Sequence, residues 1–485
     1  MAAAATSSSL SEANRRGNVS SQRSAAANAT PMASDSGFNF IHFGCWNNDG
    51  CGKATYPKTG LTSGLTRTMD KLSAALHEIN PEIVLVTGDN YYPVKPEKSL
   101  YALSHGIKEK QFVHEVFESG WDCLNTRLES VKQKTFVLLG NHDLEVKEGI
   151  ESEECVIGDE IQRAAKFNMV DLCNVECIAG TMFVMFTSSI FDTDFDKDDD
   201  KNQKKKLIIE TCAKQIHAFK GAKITSLANM RETAAKIINE LVEAKKKECD
   251  ENGTKIHNLV FVCHDPLVCY KYKSADKDKK KDKGEKADKG EKADKEGKDE
   301  KKKEKKKDKE VQKMPFGGEL YMDLLCGIIE SVGAPEKNNY YLCADLHQYQ
   351  TGTITINCDK CGKGYKIEQN ISGTGGAEQD DKIPEDNANE LDKEPVEGFG
   401  KYNVDYKMHE STMQFGFTKA TVKPGGGGIK FEFMAADGSM KGEGASGTTL
   451  FSGGRLVKTR RGIRTGRRHV KRVLKMTMKK WNIRS

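Results

Sequence analysis

Side chains that are able to bind a metal ion follow four apolar stretches of the sequence, each at the point where a strand is predicted to end. The four segments are GDNYY (88–92), GNHD (140–143), VCHD (262–265) and ADLH (344–347). In an open α/β sheet, ligands bind outside the carboxyl ends of the strands. Asp, Asn, Tyr and His side chains in such places must be desolvated or paired, so their recurrence indicates a metal site.

A fifth strand end carries a cysteine. The run FNFIHF ends at Gly44, and Cys45 follows directly. A catalytic nucleophile is disfavoured, because the histidines of the other segments are better explained as metal ligands. Two alternatives stay open, since a thiolate binds divalent metals and a free cysteine is also commonly buried as a small apolar group.

Alternating strands and helices must position these side chains. Apolar runs within 38–44, 83–89, 135–143, 181–189, 258–265 and 340–347 predict strands. Helical periodicity predicts helices at 65–79, near 108–119 and at 225–247. Fully apolar strands that alternate with helices indicate an α/β sheet covered on both faces. The later runs FGFTKATVK and GIKFEFMAADG alternate with period two and predict an antiparallel pair that closes the domain.

The order of these motifs resembles the metallophosphoesterase superfamily, in particular its purple acid phosphatase-like branch. GDNYY and GNHD are the specific motifs, and Tyr92, three residues after Asp89, is the marker of the branch. The resemblance covers roughly residues 38–440 outside a lysine-rich insert. It implies an α/β fold with a four-layer sandwich, in which two mixed β-sheets are flanked by helices.

The resemblance also implies metal-binding roles. Asp89 would bridge two metal ions, Tyr92 and His347 would complete the first site (M1), and Asn141 and His264 would belong to the second (M2). The implied cofactors are two divalent or mixed-valence ions (Fe, Zn or Mn), with retention of only one as the alternative.

The catalytic roles that the resemblance implies fall on GNHD. His142 would stabilise the transition state and protonate the leaving group, and Asp143 would orient it. The implied reaction is in-line attack of a metal-held hydroxide on a phosphoester.

Two positions depart from the motifs of the family. Cys45 stands in M1 where the family has aspartate, and Asp345 stands in M2 where it has histidine. The thiolate would favour Zn²⁺ or Fe²⁺ over a hard trivalent ion. Asp345 adds a negative charge that weakens the electrophilic pull on the substrate. The sequence thus favours a metal-dependent phosphoesterase that acts on phosphomonoesters. The alternative is a catalytically impaired pseudo-phosphatase that serves as a binding or structural protein.

The charge of the 485-residue chain is unevenly distributed. Its net charge is +5, yet residues 455–484 contain 13 Lys/Arg and no acidic residue, and residues 271–313 contain 20 Lys against 13 acidic residues. The remaining body therefore carries about −15. We expect a disordered Ala/Ser-rich segment at 1–36, the folded domain at 37–441 with a charged low-complexity insert at 272–313, and a basic tail at 442–485.

The tail has the pattern of a basic amphipathic helix. Apolar residues from Val470 to Trp481 recur at helical spacing among lysines and arginines. Such a helix in 455–485 would bind nucleic acid, an anionic membrane or an acidic protein. Docking on the acidic body of the same chain is the alternative.

The cysteine content and the termini predict the compartment. The chain has 14 cysteines, no secretory h-region and no apolar run of transmembrane length. We therefore expect reduced thiols and an intracellular rather than a secreted protein. The acid-poor N-terminus also loosely fits an organelle transit peptide.

Overall fold

The computed structural model describes residues 37–436 except 54, 56–59, 97–98, 148–153, 197–199, 273–310, 334–337, 359–361, 378 and 381–382. The expectations for the N-terminal segment, the basic tail with its helix, and most of the lysine-rich insert lie outside the described residues.

The first β-sheet has six strands in the order β15-β14-β1-β2-β3-β4. Strands β1 to β4 run parallel, and β14 pairs antiparallel with both β1 and β15. The predicted closing pair is therefore confirmed. The bounds are β1 Phe38–Phe43, β2 Ile83–Thr87, β3 Thr135–Leu138, β4 Asn168–Val170, β14 Gly416–Val422 and β15 Ile429–Ala435.

The second sheet has seven strands in the order β13-β11-β12-β10-β7-β6-β5. The four strands β12, β10, β7 and β6 are parallel, and antiparallel strands flank them on both sides. The bounds are β5 Cys173–Ile178, β6 Thr181–Phe186, β7 Asn258–Val262, β10 Asn339–Cys343, β11 Tyr349–Cys358, β12 Lys363–Ser372 and β13 Tyr402–Thr412.

A separate antiparallel hairpin joins the two flanks of the lysine-rich insert. Strands β8 (Val268–Tyr272) and β9 (Val311–Pro315) pair Tyr272 with Val311. Both ends of the range expected to be low-complexity therefore lie in strands.

Helices cover the outer faces of the two sheets. Apolar side chains such as Phe40 and Leu85 of the first sheet pack against Phe183 and Val260 of the second. Two further apolar cores lie on the outer sides, one between each sheet and its helices. This arrangement confirms the predicted four-layer sandwich. The helices are α1 Gly64–Ile79, α2 Leu100–His105, α3 His114–Arg127, α4 Ile157–Ala164, α5 Asp200–Ala213, α6 Leu227–Glu251, α7 Gly318–Val332 and α8 Glu385–Leu391.

Local sequence signals account for the start of one helix but not of another. Helix α1 begins after Ser63, whose side chain accepts a hydrogen bond from Thr66 N at 3.2 Å, and it buries one apolar face. The helix predicted near 108–119 is wrong at its start, because Gln111 pairs with Val94 in a β-bridge and α3 begins only at His114.

The expectation of reduced thiols is also wrong. Cys51 bonds to Cys123 and Cys155 to Cys212, with Cα atoms 5.8 and 5.5 Å apart, and Cys358 is disulfide-bonded too. The pairs are 72 and 57 residues apart in sequence, so only the packing of loops on helices reveals them. In the described parts of the chain, every helix is too short or too polar to cross a bilayer.

Candidate metal centre

Strand register brings the five motifs to one edge of the sandwich. Phe43 lies opposite Val86 and Thr87 opposite Leu138 in the first sheet, so the loops after β1, β2 and β3 begin side by side. In the second sheet, Val262 lies opposite Leu342. The loops after β7 and β10 therefore also start together.

Three of the candidate ligands have a strained backbone. Cys45, Asp89 and Asp345 have φ angles of 52°, 52° and 46°, in the left-handed region. Each follows a strand end, and this conformation costs a residue other than glycine about 1–2 kcal/mol. Aspartate adopts it more readily than most residues, whereas cysteine has no such preference. Strain of this kind collects at functional sites, which marks this edge of the sandwich.

Two glycines let the ligand loops touch. A Cβ atom on Gly140 would lie 2.4 Å from the amide nitrogen of Asp89 and 2.5 Å from its Oδ1. A Cβ atom on Gly88, whose φ is +80°, would lie 2.6 Å from the nitrogen of Gly140. The glycines of GDNYY and GNHD are thus required by the close approach of the two loops.

The structure brings the four residues of M1 together. Donor atoms of Cys45, Asp89 and His347 lie within 4.8 Å of one another. The Tyr92 hydroxyl donates to Asp89 Oδ2 at 2.6 Å and lies 3.0 Å from His347 Nε2. Cys45 Sγ is 3.8 Å from the same Oδ2. One sulfur, one nitrogen and two oxygens therefore lie close together, a donor set that suits zinc or iron.

The residues of M2 surround one nitrogen atom. His264 Nε2 lies 3.0 Å from Asn141 Oδ1, 3.2 Å from Asp89 Oδ1 and 3.9 Å from Asp345 Oδ1. The other ring nitrogen, Nδ1, lies 2.8 Å from the carbonyl oxygen of Thr87, to which it donates. This backbone contact fixes the ring with Nε2 directed at the candidate site, as metal-binding histidines require.

Burial and neighbouring charges together set the protonation states of Cys45 and Asp89 in M1. Burial, reinforced by the Asp89 carboxylate, raises the pKa of the Cys45 thiol well above its ordinary value. For Asp89 itself, burial opposes ionisation, but His264 and His142 outweigh it and lower the pKa of the carboxyl. Cys45 therefore keeps its proton until a cation displaces it, which argues against a nucleophilic role.

Asp265 is a candidate ligand that the sequence reasoning missed. A carboxylate oxygen of Asp265 lies within 4.8 Å of donor atoms of His264 and Asp345. The hydroxyls of Ser188 and Ser189 donate to Asp265 Oδ2 at 2.6 and 2.7 Å. Burial and the charge of Asp345 raise the pKa of Asp265 to about 7, although His264 opposes the shift. The signal was present in VCHD, directly after the histidine.

His142 lies at the centre, with a different partner from the one that the resemblance implies. Its amide donates to Asp89 Oδ1 at 3.2 Å, and its ring Nδ1 is 3.1 Å from Glu145 Oε2. Asp143 instead accepts hydrogen bonds from the Gly140 amide at 2.7 Å and from the Asn90 amide at 2.8 Å. Asp143 thus holds two ligand loops together, and Glu145 is the carboxylate beside the imidazole.

Beneath Asp143 lies a second buried carboxyl, that of Glu160. Burial, and then the Asp143 carboxylate, raises the pKa of Glu160 well above its ordinary value. Asp143 receives the amide hydrogen bonds that favour its charged form, so Glu160 is the protonated partner. An acid with a raised folded-state pKa contributes stability below its unfolded pKa and loses it as the pH rises.

We therefore expect Glu160→Gln to flatten the pH dependence of the free energy of unfolding. Parent stability should fall as the pH rises above about 4.3, the ordinary pKa of a glutamic acid, at up to about 1.4 kcal/mol per pH unit for one proton. The variant, which cannot ionise at position 160, should lose less. Chemical denaturation over a series of pH values measures this, with the exposed Glu115→Gln as control. Equal pH slopes for the parent and Glu160→Gln would show that Glu160 is ionised in the fold.

Comparisons with known proteins show distant structural similarity only. No family model matches the chain, and no curated protein matches it. The fold is similar to GAP50, the anchor in the inner membrane complex of Plasmodium (TM-score 0.36, 9% identity, 83% of this chain and 85% of that one). It is also similar to the purple acid phosphatase PPD1 of yellow lupin (TM-score 0.39, 14% identity, 84% of this chain and 52% of that one). A third similar structure is that of PhoD (TM-score 0.40, 10% identity, 83% of this chain and 70% of that one). The chain spans about half of the lupin protein. The residues of the site carry the functional assignment.

Proposed function

We propose that this protein is a metal-dependent phosphoesterase that hydrolyses phosphomonoesters. The observation that carries the proposal is the division of the Asp89 carboxylate between two donor groups. Its Oδ2 faces Tyr92 at 2.6 Å and Cys45 at 3.8 Å, whereas its Oδ1 faces His264 at 3.2 Å. A carboxylate that offers one oxygen to each of two donor groups could contribute a ligand atom to an ion in each group.

The chemistry of the side chains fits this cofactor. Cys45, Tyr92 and His347 would hold one ion with Asp89, and Asn141, His264 and Asp345 would hold the other, with Asp265 as a further donor. When bound, two such ions supply a hydroxide at neutral pH and neutralise charge on the phosphoryl oxygens. The thiol, phenol, imidazole and carboxylate donors are all ligand types that Zn²⁺ or iron accepts.

His142 is the residue for proton transfer to the leaving group. Its side chain is 23% exposed, so solvent and a substrate can reach it while its amide donates to Asp89. The Asp89 carboxylate and Glu145 outweigh burial and raise the pKa of His142 above its ordinary value. The imidazole therefore carries a proton to donate near neutral pH.

A second candidate function is a phosphoester-binding or scaffold protein without turnover. Asp345 favours it, because a carboxylate in place of an imidazole makes the centre less electrophilic, and so does the buried, protonated Cys45. The two candidates differ in catalysis rather than in the location of the site.

Removal of M2 ligands tests the proposal. We expect Asn141→Ala and His264→Ala each to lower hydrolysis of p-nitrophenyl phosphate by at least about a hundredfold, since even partners of metal ligands cost ten- to a hundredfold. His77→Ala, at an exposed histidine of α1, is the matched control and should leave the rate unchanged. Parent-like rates in either site variant would refute the two-metal assignment, and a parent without turnover but with bound metal would favour the scaffold.

A further inference from the structure

Two serine hydroxyls just after strand β6 hold the segment that carries Asp265. Ser188 Oγ accepts hydrogen bonds from the amides of His264 and Asp265, both at 3.1 Å, and donates to Asp265 Oδ2 at 2.6 Å. Ser189 Oγ donates to the same carboxylate oxygen at 2.7 Å. A hydroxyl has one proton and two lone pairs, so Ser188 uses its whole bonding capacity on this segment. Both serines and Asp265 are buried.

Two buried tyrosines hold the same segment from another side. The Tyr341 hydroxyl donates to the carbonyl oxygen of Asp265 at 2.8 Å and lies 2.6 Å from the hydroxyl of Tyr321. The Tyr321 hydroxyl in turn lies 3.5 Å from Cys263 Sγ. Residues 263–265 are thus held at a thiol, a carbonyl group and two amides. The direction of the Asp265 side chain is therefore set by the fold.

The carboxylate of Asp265 lies among the donor atoms of M2. One of its oxygens lies within 4.8 Å of donor atoms of His264 and Asp345. Asn141 Oδ1 and Asp89 Oδ1 lie 3.0 and 3.2 Å from Nε2 of the same histidine. With Asp265 included, M2 therefore offers one nitrogen and four oxygens, and three of these oxygens come from carboxylates.

The donor atoms of M1 are softer than those of M2. Cys45 and His347 give M1 a sulfur and a nitrogen, and such donors suit zinc and iron. Carboxylate and carbonyl oxygens instead suit hard ions such as Mn²⁺ and Mg²⁺. Zinc binds more tightly than manganese to most mixed sets of donors, so a limited supply of zinc should go to M1 and leave M2 to manganese.

We propose that Asp265 is a metal ligand of M2 and makes the centre mixed, with Zn²⁺ in M1 and Mn²⁺ in M2 when zinc is limiting. This inference rests on the two-metal centre of the proposed function and specifies which ion each site takes. Ser188 and Ser189 are positioning residues, because they hold the Asp265 carboxylate beside His264. Either ion alone still fills both sites, and the preference shows only in competition.

Titration of Mn²⁺ into the full chain, preloaded with one equivalent of Zn²⁺, tests the proposal without an assay of activity. Free Mn²⁺ gives an EPR signal that is lost on binding, so the titration yields a Kd, and elemental analysis gives the zinc that stays bound. The parent should bind about one Mn²⁺ and keep its zinc. Asp265→Asn should weaken Mn²⁺ binding by at least about tenfold and keep the zinc. Asp122→Asn, the same change at an exposed aspartate of α3, is the matched control and should alter neither.

Two further variants locate the ions. Cys45→Asp replaces a soft donor of M1 by a hard one, so it should lower the zinc retained against a competing chelator and leave the Mn²⁺ affinity close to that of the parent. Ser189→Ala removes one hydrogen bond from Asp265 Oδ2 and leaves the carboxylate in place. It should weaken Mn²⁺ binding in the same direction as Asp265→Asn, but less.

Unchanged Mn²⁺ affinity in Asp265→Asn, or a loss of zinc instead of manganese, would overturn this inference and leave the proposed function standing. A chain that binds both ions as expected but hydrolyses no phosphomonoester would refute the proposed function and support the assignment of Asp265. A folded parent chain that binds neither ion would overturn both.

Discussion

Asp89→Ala is expected to remove both metal ions and to abolish phosphatase activity. The two carboxylate oxygens of Asp89 face the two donor groups, Oδ2 at 2.6 Å from Tyr92 and Oδ1 at 3.2 Å from His264. Its loss leaves each half of the centre without its shared anion, so the fall in turnover should exceed about a hundredfold. Elemental analysis of the purified variant and assay with p-nitrophenyl phosphate measure the two effects together.

Asp122→Ala is the matched control, because Asp122 lies exposed on α3 and contributes nothing to the centre. Retention of both ions in the Asp89 variant would mean that Asp89 does not bridge, and the division of its oxygens would then be a packing feature.

His142→Ala should separate chemistry from metal binding. His142 is not among the candidate ligands: its ring packs against that of Tyr92, with the centroids 4.8 Å apart, and its Nδ1 lies 3.1 Å from Glu145 Oε2. Its loss should leave the metal content intact and lower turnover by about 10²–10⁴ where the leaving group must be protonated. An alkyl phosphate such as glycerol phosphate should show the full effect. p-Nitrophenyl phosphate should show less, because its leaving group departs as an anion.

Glu145→Gln provides the graded comparison for this prediction. It keeps the size of the side chain but removes the charge beside the imidazole, so its effect should be smaller than that of His142→Ala and should shift the pH profile. Equal losses on both substrates in His142→Ala would contradict proton donation. They would indicate instead that His142 stabilises charge on the phosphoryl group.

The sequence anticipated the part of the centre that lies at strand ends. Asp89, Asn141 and His264 each follow an apolar strand, and parallel strands bring their carboxyl ends to one edge. For the same reason, Cys45 and Asp345 could be located despite their unusual identity. Residues fixed by strand order alone were therefore predictable from local pattern.

The residues that surround this set depend on packing between distant segments. Asp380, which lies in a loop, accepts a hydrogen bond from the amide of His347. The motif order suggested Asp143 as the partner of His142, but the turn at His142–Leu144 directs Asp143 back to the amides of Gly140 and Asn90. Such contacts require the direction of each side chain, which periodicity does not contain.

Metal content of the unaltered full chain is the most direct test of the central claim, that the centre holds one ion on each side of Asp89. Elemental analysis after equilibration with Zn²⁺, Mn²⁺ or Fe²⁺ and removal of loosely bound metal should give about two equivalents per chain, as for a two-metal site. A chain that folds normally and retains less than about half an equivalent of any of these ions would contradict it.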